Sequence, residues 1–215
     1  KPGVEERTRR PFGDVLVEGF RYSFGRAATR ALVVRALLFS LGAAALWGLM
    51  PVVAVRLGGG PDLLGVLLGS FGLGAMGGAV ASVVLRARFG SEGVLRAGLC
   101  AMLVGSGMLG LTASVPVAIA AHVIAGAGWV STLSTFNVSL QLGVPRQIVG
   151  RALAIYQTTT FGGLAVGSAL WGMVADRIGV AHSLTAAAVF LLVGLVLGIR
   201  LGLPEPIEEE EAAEA

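Results

Sequence analysis

The polar side chains that could bind or titrate crowd into one stretch, "HVIAGAGWVSTLSTFNVSLQL" at 122–142. It holds His122, Ser131, Thr132, Ser134, Thr135, Asn137, Ser139 and Gln141 in a chain that is 55% hydrophobic. Amides in hydrocarbon need partners, so Asn137 and Gln141 read either as ligand contacts or as links between helices. A lone Ser or Thr in an apolar helix more plainly bonds its own carbonyls. His122 could titrate near neutral pH, although a solvated histidine near a membrane interface is the simpler expectation. On a helix His122, Ser134, Asn137 and Gln141 share an arc of about 120°, with Trp129 beside His122. His122 and Asn137 are then about 22 Å apart along the axis. No small ligand touches both, so the stretch offers a polar face with 128–132 at its middle. A second cluster, Tyr156, Gln157 and Thr158 to Thr160, follows the next break. No metal-ligand cluster, nucleophile–base pair or phosphate-binding loop stands out. An enzyme ranks last, a built-in ATP motor is not indicated, and no cofactor is expected.

What must position these residues is a membrane bundle. Only 13% of the chain is charged, about half the share of a soluble domain. No soluble fold of 215 residues could hide so much apolar surface, and the mean hydropathy is +0.82. The 33 glycines suit close helix packing in lipid. Cys100 lies in an apolar run and reads as a small buried hydrophobe.

A bilayer core needs about 20 apolar residues per helix, and runs of that kind fall at 36–56, 62–85, 93–113, 117–141, 151–174 and 181–203. Between them stand "GGGPD", "RARFGSEG", "SVP", "GVPRQIVGR" and "DRIG", which punctuate turns. With a cytoplasmic N-terminus, all of the 16 Lys and Arg except Arg56 and Arg177 fall inside. The positive-inside rule therefore puts both termini in the cytoplasm and explains the net charge of +3 without nucleic acid. Residues 1–35 read as a cytoplasmic linker or interfacial amphipathic helix. Residues 204–215, "PEPIEEEEAAEA", read as an acidic disordered tail. The chain begins with Lys, so a fragment or processed product is expected.

The six spans divide into two triplets whose second helices are both Gly-rich. Small-xxx-small pairs recur: Gly65 with Gly69, Gly74 with Gly78, Gly163 with Gly167. Each of these helices ends in Arg-apolar-Gly, Arg88 to Gly90 and Arg177 to Gly179. An odd number of helices per unit inverts the second unit in the membrane, a transporter architecture. The expected fold is an all-α membrane protein, six transmembrane helices as two inverted three-helix repeats. The glycine pairs would form its packing and rocking interfaces.

"VEGFRYSFGRAATRALVVRALLF" and "VPRQIVGRALAIYQTTTFGGLAVGSALWGMVADRIG" carry a family likeness. The chain resembles the C-terminal half, helices 7–12, of a major facilitator superfamily transporter, in the bacterial group of the enterobactin exporter and drug-efflux proteins. The superfamily's loop motif Gly-x-x-x-Asp-Arg-x-Gly departs here. Arg88 and Gly90 stand in the expected loop without its Asp, while Asp176, Arg177 and Gly179 complete a copy in the last loop, read as a repeat echo. The resemblance implies that spans 36–56 and 117–141 line a cavity. That nominates Trp47, Pro51, Trp129, Thr132, Asn137 and Gln141, with Tyr156 and Gln157 facing the other half. It further implies a multi-pass protein of the bacterial inner membrane, whose partners are the lipid bilayer, a small-molecule substrate and an N-terminal six-helix half. Efflux of a hydrophobic or amphipathic compound by alternating access is the implied activity. Protons are the candidate coupling ion, and no carboxylate lies deep in any span, so one would come from the other half. A scaffold or sensor retaining the transporter fold is the alternative.

Overall fold

A computed structural model describes residues 25–204; residues 1–24 and 205–215, with most of the expected linker and tail, lie outside the described residues. Five helical elements follow in order: α1 Ala27–Arg56, α2 Pro61–Leu111, α3 Val115–Leu142, α4 Val149–Ile178 and α5 Val180–Ile199. Residues 27–35 are helical and continuous with the first span. Pro61 and Pro116 open their helices in the first turn, where a missing N–H costs nothing. Elements α1, α2, α3 and α5 are long and apolar enough to cross a membrane. The chain is a multi-pass membrane protein.

As one rod, the 51 residues of α2 would run to about 77 Å, more than twice a bilayer core. Gly90 breaks it, with φ 68° and ψ 176°, into α2a (61–89) and α2b (91–111). Among the described residues a second break without a loop is Gly179, with φ 89° and ψ 153°, between α4 and α5. Both are the glycines of the Arg-apolar-Gly motifs. That backbone region is closed to side-chain-bearing residues.

Packing follows the small residues. A Cβ on Gly74 would lie 1.9 Å from the Val123 carbonyl oxygen, and one on Gly78 would lie 2.5 Å from that of Ala127. So α2a runs parallel to α3 at backbone contact. In the same way a Cβ on Gly163 would meet the Ser40 hydroxyl at 2.2 Å, and one on Gly167 the Ala44 methyl at 2.6 Å. So α4 runs parallel to α1. Antiparallel seams complete the bundle, with Gly98 and Gly105 of α2b against α3, and Gly110 of α2b against α5. By contrast, Gly65 and Gly69 have nothing within 4 Å of such a Cβ; these two face away from the described helices.

One tryptophan and one cysteine sit differently from what their sequence context suggests. Trp171 reads from sequence as an interfacial anchor, but its ring is 6% exposed. Its indole N–H donates to the Leu41 carbonyl at 2.7 Å, and its ring meets Phe190 at 6.1 Å. It continues the Gly163–Gly167 stripe onto α1, one turn further on. Cys100 points outward from α2b instead of inward.

Candidate substrate-facing site

The middle of the bundle is joined by aromatic rings from four helices. Trp47 of α1 meets Trp129 of α3 edge-to-face at 5.6 Å and Phe71 of α2a at 4.8 Å. Phe39 packs on Trp129 at 5.5 Å and on Phe136 at 6.3 Å. Phe136 in turn meets Tyr156 of α4 at 6.2 Å. Trp47 remains 38% exposed, so the chain of rings opens to one face of the bundle there. Offset and edge-on geometries of this kind add to simple burial, and indole faces also attract apolar and cationic ligands.

Asn137 bridges within and between helices. Its amide N–H donates to the Leu133 carbonyl at 2.8 Å and reaches the Tyr156 hydroxyl at 3.5 Å. Sequence reasoning placed Asn137 and Tyr156 on separate spans with separate roles, and the fold brings them together. Pro51, Gln141 and Gln157 are exposed, away from this contact.

Two sequence nominees turn inward. Thr132 is fully buried and faces α2b, where its hydroxyl would lie 2.4 Å from a Cβ on Gly98. It is not part of the exposed face that carries Trp47. His122 is also fully buried, not solvated at an interface. Its Nδ1 is 2.7 Å from the Ala118 carbonyl, and its Nε2 has no partner. The residue sits about two turns inside α3. The motif residues Arg88, Asp176 and Arg177 are exposed at the two glycine joints, with the Arg88 guanidinium 5.4 Å from the Phe89 ring centre.

Sequence reasoning missed the ionic centre at the Gly90 end. Glu92 accepts two hydrogen bonds from Arg35, at 2.9 and 2.8 Å, and a third from Arg96 at 3.1 Å. Arg35 also donates to the Leu201 carbonyl. One carboxylate therefore ties the start of α1, the start of α2b and the chain just after α5. Parallel forked bonds of this kind are the strong form of the Arg–carboxylate pair.

A bundle of long apolar helices, tied by small-residue stripes and broken by glycine joints, is the architecture of a polytopic membrane transporter fold. The family profile described as transmembrane secretion effector matches residues 5–215, and the chain belongs to that family, within the major facilitator superfamily. Among solved structures, it is similar to the proton:xylose symporter of that superfamily bound to 6-bromo-6-deoxy-D-glucose. The TM-score is 0.69 at 17% identity, over 86% of this chain and 46% of that one. The chain thus spans about half the length of that transporter. No curated protein matches it.

Proposed function

We propose that this chain is the C-terminal half of a secondary transporter that exports a small hydrophobic or amphipathic molecule by alternating access across a bacterial inner membrane. The six helical rods α1, α2a, α2b and α3, α4, α5 would be two inverted triplets. Reciprocal packing supports that reading: the second rod of each triplet lies parallel to the first rod of the other. The glycines that make those contacts, 74 and 78, recur at the same chain offset as 163 and 167, and so do the joints 90 and 179.

The observation that carries the functional reading is the Trp47–Trp129 pair. It joins α1, about two-thirds of the way along, to the middle of α3 and leaves Trp47 38% exposed, where a partner six-helix half would enclose a substrate. Among the described residues the carboxylates are Asp62, Glu92 and Asp176, all at helix ends or joints. A proton-coupled cycle would draw its carboxylate from the partner half.

The test is accumulation of a broad panel of fluorescent amphipathic compounds in cells that express full-length protein. Expression should lower accumulation of at least one compound, and Trp129→Ala should remove most of that effect at equal protein level. No change for any compound would sink the exporter reading.

A further inference from the structure

We propose that Arg86, held by Ser134 and Thr135, is a binding site for an oxyanion, either a carboxylate or a phosphate group. Arg86 lies in the last turns of α2a, about 6 Å along the axis before the Gly90 joint. Its Nη2 donates to the Thr135 hydroxyl at 3.1 Å and to Ser134 at 3.5 Å. Those hydroxyls have already committed their own protons. Thr135 donates to the Ser131 carbonyl at 2.7 Å and Ser134 to the same carbonyl at 3.2 Å. Ser131 is itself pinned to the Gly78 carbonyl at 3.2 Å. The hydroxyl oxygens therefore accept from the guanidinium and fix its plane, but they carry no charge to neutralise it.

Among the described residues no carboxylate pairs with Arg86. Glu92 is taken by Arg35 and Arg96, Asp62 stands in the first turn of α2a at its opposite end, and Asp176 stands near the Gly179 joint. The Nε of Arg86 is buried without a partner, while Nη1 is unbonded and not enclosed. A guanidinium is always protonated, and with Nη2 engaged by the two hydroxyls the donor left to an oxyanion oxygen is Nη1. At the end of a membrane span a partly buried guanidinium still needs oxygen partners, and its uncompensated charge makes it a candidate ligand site. Arg35 in the same bundle has the forked carboxylate that Arg86 lacks.

The anion has two possible sources, a lipid headgroup phosphate or an anionic group on a soluble substrate. Full-length protein in dodecyl maltoside, which has neither phosphate nor carboxylate, would be melted alone, with phosphatidylglycerol in mixed micelles, and with benzoate or inorganic phosphate at matched ionic strength. Wild type should gain about 3 °C with at least one of them, and Arg86→Gln should lose most of the gain. A response to phosphatidylglycerol alone assigns a lipid. A response to benzoate or phosphate assigns a soluble anion. If no anion separates wild type from Arg86→Gln, the proposal is overturned; that is the outcome expected if the partner half supplies a carboxylate to Arg86. Should Arg86→Gln not fold, Arg86→Lys and Thr135→Val replace it, and an undiminished gain in both overturns the proposal equally. The result does not depend on the direction of transport.

Discussion

Arg35 and Arg86 enter the same bundle on opposite terms. Arg35, with a side chain 4% exposed, is paired to Glu92, which is 31% exposed. Removing the carboxylate strands a buried guanidinium. Glu92→Gln should therefore destabilise the protein by about 2 kcal/mol, less than a fully buried pair would lose because water reaches Glu92. Arg96→Ala removes the exposed arm of the same cluster, with Arg96 46% exposed, and should cost under about 0.5 kcal/mol. Thermal unfolding in detergent checks both, and equal losses would refute the asymmetry. None of this was legible beforehand: Arg35 and Glu92 are 57 residues apart, and Glu92 looked like loop punctuation in "GSEG". The aromatic pair was more accessible, since Trp47 and Trp129 stand near the middles of their apolar runs.

Helices that face lipid on one side and protein on the other are apolar on both. Hydropathy therefore located the spans but could not say which stripe of each faced inward. Gly65 and Gly69 read like Gly74 and Gly78 for that reason, and only the second pair touches a neighbour. The structure separates the two pairs by what each faces. Gly74→Ala puts a Cβ 1.9 Å from a backbone carbonyl that cannot step aside, and should cost about 1–3 kcal/mol as α2a and α3 are pushed apart. Gly69→Ala meets nothing within 4 Å and should be neutral, or stabilising by up to about 1 kcal/mol from helix propensity. The joints were legible for a different reason: Arg-apolar-Gly marks a backbone need, not a facing. With φ 68° and 89°, Gly90→Ala and Gly179→Ala should each lose about 1–3 kcal/mol. Unfolding of the four variants side by side decides it; a tolerated Gly90→Ala would mean the joint can be remade.

The proposed alternating access asks this six-rod unit to move as one body, and the seam between α2b and α5 tests that. It joins the last rod of one triplet to the last rod of the other, so any relative motion of the triplets must shear it. A Cβ on Gly107 would lie 3.8 Å from the Ala188 Cβ, at the mean spacing of a disulfide. In a Cys100→Ser background, Gly107→Cys with Ala188→Cys should cross-link under mild oxidation, seen as a linked peptide by mass spectrometry. Gly107→Cys with Val193→Cys, whose side chain points outward at 50% exposure, should not. If the half rocks rigidly, the locked protein still lowers compound accumulation to about the extent of its reduced form. If efflux stops on oxidation and returns on reduction, the triplets must slide past each other in every cycle, and the moving unit is three helices, not six.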